Sequence, residues 1–253
     1  MDRKDLLFYD AYEAFYAMAR TSAAFSAFCR DAFGEDLSQD GFSSLAQVDM
    51  ILPYIPDGED VHILDVGCGS GKLLGYLRRR TGAHIHGFDY SSQAIETARE
   101  MFPGADLREG IIGETDYPAG TFDVVISMDS VYFAKDMTAF VSQVKKWLRP
   151  RGVFFVGYQE GDVMPRTKDI STAVLTEALE RSGMSFEVTD ITAQTYDLLR
   201  RKRQAAIKHR EAFEAEGRAE WYDLLMLQTD CAESTLEQFR RDMARYIYVA
   251  RKD

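Results

Sequence analysis

The sequence predicts a doubly wound α/β fold, and three observations carry that prediction. Strand-length apolar runs alternate with segments of helical periodicity from residue 61 to residue 157. The first run, Val61 to Val66, closes on a turn that holds Gly67, Gly69 and Gly71. Helical spacing of Leu73, Leu74 and Leu77 follows at once, giving the strand–turn–helix order that opens a nucleotide-binding sheet. Glycine suits such a turn because the backbone must take up positive φ and let a ligand approach to contact distance.

Three ligand classes use a turn of this kind, and the spacing separates them. A phosphate-cradling loop needs Gly-x-x-x-x-Gly-Lys followed by Ser or Thr. Here Leu73 follows Gly71-Lys72, and Val66 stands at the first glycine position. The dinucleotide pattern Gly-x-Gly-x-x-Gly would place its third glycine where Lys72 stands. What remains, Asp65-x-Gly67-x-Gly69-x-Gly71, resembles motif I of the class I S-adenosylmethionine-dependent methyltransferases. The likeness runs on for more than a hundred residues. It implies a Rossmann-like doubly wound sheet of seven strands, the last antiparallel, and S-adenosylmethionine as cofactor.

Residues 3 to 55 read as helices, with Phe8, Tyr12, Phe15 and Tyr16 on one face and Phe25, Phe28 and Phe33 continuing it. Core packing against the sheet is the expectation for these rings. The resemblance adds that part of the segment roofs the cofactor. Asp36 to Gly41 breaks the helical pattern, Ser43 or Ser44 caps a further helix, and Pro53 with Pro56-Asp57-Gly58 marks the linker into the first strand.

The second strand, Ala83 to Phe88, ends in Asp89, placed to accept hydrogen bonds from both ribose hydroxyls of an adenosine. Capping of the helix Gln93 to Met101 is the competing role, but Ser91 or Ser92 can supply it. Tyr90 is positioned to lie against adenine. The third strand covers Ala105 to Glu109. The family commonly continues with Gly-Asp-Ala, whereas this chain reads Gly110-Ile111-Ile112, leaving the backbone of Ile111 and Ile112 for the adenine edge. Phe122 to Met128 is the fourth strand and resembles the family's Phe-Asp-Val-Val-x-Ser segment. Leu148-Arg-Pro-Arg-Gly152 mirrors its Leu-Lys-Pro-Gly-Gly turn, with Arg151 in place of a glycine, and leads into a strand from Val153 to Gly157.

The resemblance thus implies Asp65, Gly67, Cys68, Gly69, Gly71, Asp89, Tyr90, Ile111, Ile112 and Met128 as the cofactor set. Asp129 and Tyr132, just past the fourth strand, are the candidates for proton removal or acceptor positioning. Asp129 could instead hold the cofactor's methionine amino group, and both could serve only loop capping and packing.

Beyond Tyr158, Phe186 to Ile191 and Arg245 to Ala250 alternate as strands. Between them, Tyr196 to Glu216, Ala219 to Leu227 and Thr235 to Met243 read as helices that the basic fold does not require. An insertion there overlies the substrate end of the sheet and is expected to act as a lid. The expected division is a helical cap at 1–55, a core at 56–192 with 243–253, and a lid at 193–242.

At 253 residues and net charge −11, the chain is long enough for one large α/β domain and ill-suited to non-specific binding of nucleic acid or anionic membrane. The basic run Arg200 to Arg203 with Lys208, His209 and Arg210 is expected to pair with Glu211, Glu214, Glu216 and Glu220 along an exposed helix. Cys29, Cys68 and Cys231 show no metal-ligand rhythm, His62, His84 and His86 read as structural, and no metal site is expected. Nothing at the start or elsewhere reads as a membrane span, so a reducing cytoplasm is the expected setting. The expected activity is methyl transfer to the N or O nucleophile of a small molecule by in-line displacement. An RNA or protein methyltransferase, a silent adenosyl-ligand binder and a dinucleotide oxidoreductase are the rivals.

Overall fold

The computed structural model describes residues 3–38, 41–167 and 169–253; Gln39 and Asp40 of the expected break and the first two residues lie outside them. The strands are β1 His62–Val66, β2 His84–Asp89, β3 Asp106–Glu109, β4 Phe122–Met128, β5 Leu148–Glu160, β6 Ser185–Asp190 and β7 Ala244–Arg251. The helices are α1 Tyr9–Thr21, α2 Ala23–Phe33, α3 Leu45–Val48, α4 Lys72–Thr81, α5 Ser92–Met101, α6 Met137–Trp147, α7 Val174–Arg181, α8 Thr192–Ala215, α9 Ala219–Gln228 and α10 Leu236–Asp242. A single seven-stranded sheet runs in the order β3-β2-β1-β4-β5-β7-β6. β7 is antiparallel to both β5 and β6, and the other pairs are parallel.

This order explains where a ligand can sit. The chain leaves β1 towards β2 and β3 on one side and returns to place β4 on the other. The connections after β1 and β4 therefore diverge and leave a crevice beyond the carboxyl ends of those strands.

Strand alternation divides the apolar residues between two layers. Leu64, Val66, Phe88, Val125, Phe154 and Val156 meet α6 and α7 through Phe140, Val144, Trp147, Leu175 and Leu179. Ile63, Ile85, Val124, Ile126 and Phe155 meet α4, α5 and the 3-10 helix Asp49–Tyr54. α3 is only one turn, closed by a capping box between Ser44 and Gln47, and Pro53 lies inside the 3-10 helix that follows rather than in a linker. β5 begins at Leu148 rather than Val153: Leu148 is the register partner of Phe122 on β4, and further on Arg151 N–H donates to Lys252 O and Lys252 N–H to Gly152 O, both at 3.0 Å. Arg151 holds φ 64° there, the conformation a glycine would take without strain.

Of the aromatic stripe of the first helices, Phe8 is exposed ahead of α1, Tyr12 and Tyr16 are partly buried, and the phenylalanines from Phe15 on are buried, but not against the sheet. Phe15, Phe25, Phe28 and Phe33 pack on Leu198, Ala205, Ala206 and Phe213 of α8 and Leu225 of α9. Glu216, just past α8, accepts hydrogen bonds from Ser22 Oγ at 2.6 Å and Ala24 N–H at 2.8 Å, at the start of α2. Segments that sequence spacing separates into a cap and a lid share one apolar cluster. No helix among the described residues is long and apolar enough to cross a membrane.

Candidate functional site

The crevice holds about 930 Å³ of space free of protein atoms, part of it open to solvent. Its floor is the turn after β1. Gly67 and Cys68 N–H groups both donate to Phe88 O, at 2.9 and 3.1 Å, which ties the turn to the end of β2. Gly67 and Gly69 take φ 77° and 52°. A Cβ on Gly67 would come within 2.6 Å of Ser130 Cβ, and one on Gly69 would run into the Tyr16 hydroxyl. These two positions need glycine for conformation and for room. Gly71 does not line the crevice; with φ 72° it forms the N-cap of α4.

Two buried acids face this space. Asp89 Oδ2 accepts the Gly69 N–H at 3.0 Å and Oδ1 the Ser91 N–H at 2.8 Å. Burial pushes its carboxyl up to about 6, against the pull of those donors. Asp65, at the matching end of β1, has no hydrogen-bond partner among the described residues. Burial, with Asp89 nearby, pushes it up to about 8. The same surroundings hold the Cys68 thiol well above its usual range, so it is no nucleophile at neutral pH.

Aromatic rings form the opposite wall. Tyr12 and Tyr16 of α1 stack at 6.3 Å, and Tyr12 meets Tyr90 and Phe133 edge-on at 6.0 and 6.5 Å. α1 is fastened there by Glu13, which accepts from Ser91 Oγ at 2.5 Å, Ser92 Oγ at 2.7 Å and the Gln93 N–H at 3.2 Å. Leu37, Ser38, Gly41 and Ser43 also line the space, none of them expected, as do Ser130 and Phe133, which follow the carboxyl end of β4 where a ligand is expected. The spacing of Tyr12 and Tyr16, one helical turn apart, was the available signal for the wall. The serines gave none.

Several expected residues stand elsewhere or are already occupied. Ile112 and Met128 line the crevice, but Ile111 does not: its N–H donates to Thr115 Oγ1 at 2.9 Å and its carbonyl accepts from Glu114 and Thr115. The pair Asp129 and Tyr132 needs the larger correction. Arg245, fully buried on β7, donates to Asp129 Oδ1 at 2.7 Å and Oδ2 at 2.8 Å. Ser43 Oγ and the Phe42 N–H add bonds of 3.2 and 3.3 Å to Oδ2. Asp129 lines the crevice, but with both oxygens held its carboxylate ties the end of β4, β7 and the 42–43 loop together. Tyr132 packs on Phe133 and Tyr158 outside the crevice lining, and burial with the nearby Asp129 charge keeps its phenol well above the usual range.

The basic run of α8 is spent inside the chain, on partners other than those expected. Arg203 pairs with Asp230 and Glu233, and Lys208 and His209 reach Asp31 of α2. Lys202 is buried over the rings of Phe33 and Phe42; only Arg210 with Glu214 follows the expected helical spacing.

Residues 64–156 match the family described as "Methyltransferase domain". A Mycolicibacterium smegmatis protein named "Probable S-adenosylmethionine-dependent methyltransferase" is 34% identical over 146 residues, covering 53% of this chain and 54% of that protein. By the match to that family the chain carries a methyltransferase domain at residues 64–156. It spans about half the length of the first curated relatives it matches. Two solved structures share the fold of this methyltransferase domain. Phosphoethanolamine N-methyltransferase 2 of Haemonchus contortus superposes with TM-score 0.74 at 20% identity, over 96% of this chain and 60% of that one. The cyclopropane synthase MmaA2 of Mycobacterium tuberculosis gives 0.70 at 18% identity, over 95% and 98%.

The crevice of the methyltransferase domain fits such a cofactor on its own chemistry. Two buried acids and an aromatic wall favour a cation, and no Lys or Arg is among the described residues lining it. Lys72, which could have met a phosphate, is turned away, its Nζ 2.8 Å from Asp36 Oδ2.

Proposed function

We propose that this chain binds S-adenosylmethionine in the crevice and transfers its methyl group to the N or O nucleophile of a small molecule. The observation that carries the reading is Asp65: a buried acid without a protein partner, beside the glycine turn and facing the same space as Asp89. A diphosphate would meet the Asp89 carboxylate there and oppose ionisation of Asp65. A sulfonium compound with an ammonium group meets two acids.

In this reading Asp89 accepts from the ribose hydroxyls, and Asp65 holds the methionine ammonium. Backbone groups of Gly67, Cys68 and Gly69 line the amino acid part, while Tyr90, Ile112 and Met128 border the adenosine. The cofactor supplies an activated methyl carbon when bound. The residues around it hold donor, carbon and acceptor in line, and positioning of that kind can be worth roughly 7–11 kcal/mol. Tyr12, Tyr16 and Phe133 exclude water and present ring faces towards the cationic centre, worth about 0.5–2 kcal/mol. Asp129 is a positioning residue, not a base. The cap and lid work as a single cover, because Phe25 and Phe28 rest on α8.

Calorimetry with S-adenosylmethionine and with NAD tests the binding half: the first binds and the second does not. The reverse result ends the proposal. Release of S-adenosylhomocysteine over pooled amines, phenols and acids tests the chemistry; tight binding with no release over any pool would make the chain a silent binder.

A further inference from the structure

The amino-terminal edge of the sheet, away from the crevice, gathers a cluster that methyl transfer does not use. His62 opens β1 and His84 opens β2, and the two are register partners. Side chains alternate along a strand, so His62, His84 and His86 share one face of the sheet. The His62 and His84 rings lie 4.9 Å apart and nearly parallel. Asp60 precedes β1, with Oδ1 3.1 Å from His62 Nε2. One ligand atom from each of Asp60, His62 and His84 lies within 4.8 Å of the others.

The surroundings orient these groups. Arg149 Nη2 takes Oδ2 of Asp60 at 3.2 Å and leaves Oδ1 to face His62. Behind His62, its Nδ1 meets His86 Nε2 at 2.9 Å, and His86 Nδ1 faces Asp106 Oδ2 at 3.6 Å. His62 Nε2 and Asp60 Oδ1 thus face one another with His86 holding the His62 ring from behind, and a metal ion would take the place of the proton they share.

We propose that Asp60, His62 and His84 bind a divalent transition-metal ion of zinc-like character, with His86 and Asp106 fixing the orientation of His62 from behind. Ligand atoms on a tetrahedral zinc ion stand about 3.3 Å apart, close to the Asp60–His62 separation. Two imidazoles and one carboxylate select zinc, copper or nickel over magnesium and calcium. Three protein ligands leave one position for water. Arg149 brings positive charge nearby, but it is paired with Asp123 at 2.8 Å as well as with Asp60, and Arg108 is paired with Asp106. Three carboxylates thus oppose two guanidinium groups. The site lies three residues before Asp65, roughly 10 Å along the strand, and so stands apart from the crevice.

The test uses the full chain with Cys231→Ser, which removes an exposed thiol that would compete for zinc. After chelator treatment, ZnCl2 is titrated by calorimetry and the ion is located by anomalous diffraction at the zinc edge. A single zinc ion between Asp60, His62 and His84 is expected, with no response to MgCl2. His84→Ala, at an exposed position, loses at least about tenfold in zinc affinity and keeps its S-adenosylmethionine binding. His86→Asn, which never touches the ion, weakens zinc by about 10–100-fold. Equal zinc affinity in wild type and His84→Ala overturns the proposal. So does an absence of zinc binding by the wild-type chain in the calorimeter.

Discussion

The crevice floor and the helical cluster of α1, α2, α8 and α9 are built in opposite ways. The floor is local: Asp65, Gly67 and Gly69 lie within one turn of β1, and Asp89 is joined to it by backbone bonds to Gly69 and Ser91. Both its acids carry raised pKa values, and the Asp65 carboxyl has no partner among the described residues. The helical cluster is made of distant pairings, Phe28 on Phe213, Ser22 with Glu216 and Asp31 with His209. The difference separates stability from binding. The helical cluster is held by its own chain, while the floor keeps Asp65 without a partner among the described residues.

The largest expected effect falls where the two regions are joined. Arg245→Met removes the guanidinium from a buried ion pair and leaves Asp129 without its counter-charge. It should cost about 3–5 kcal/mol in urea unfolding. A loss below about 1 kcal/mol would show that the 42–43 loop does not depend on this pair.

Next in size is Asp89→Ala, a change confined to the floor. Cofactor binding should weaken by at least about 1.5–3 kcal/mol by calorimetry. An unchanged affinity takes Asp89 out of the site and leaves it as a brace for Gly69 and Ser91.

Asp65 sharpens the comparison through pH. Its folded carboxyl lies near 8, above the ordinary 3.8, so the folded chain holds a proton that the unfolded chain releases. The stability this gives is full below about pH 4 and is lost as pH rises through about 8. Asp65→Asn should therefore make the empty protein more stable than wild type at pH 8, by at least ~1 kcal/mol, while weakening cofactor binding. Wild-type binding at pH 7 should expel a proton, read as a buffer-dependent calorimetric enthalpy. An enthalpy independent of buffer would mean that Asp65 stays neutral beside the ligand.

The smallest effect belongs to the helical cluster alone. Glu216→Ala removes acceptors at the start of α2 and should cost about 1 kcal/mol in thermal unfolding, with cofactor affinity unchanged. If affinity falls with it, the floor and the helical cluster are coupled more tightly than their contacts indicate.

Residue spacing alone determined the strands and helices, the glycine turn and the two acids at adjacent strand ends. These depend on periodicity and on backbone conformations that a few neighbouring residues dictate. Even so, β5 ran further back than its apolar core suggested, because Leu148 pairs with Phe122 across an irregular register and Arg151 and Gly152 pair with Lys252. The partners were not legible. Nothing near Asp129 announces Arg245, 116 positions away, and nothing near His62 announces that register sets it beside His84 and His86. The aromatic stripe of α1 and α2 said that a face is buried but not against what, since α8 offers a surface as apolar as the sheet's. Tertiary structure decided which polar groups found partners and which were left facing the crevice. Hydrogen bonds and ion pairs act over a few ångströms, and only packing brings distant stretches of chain that close.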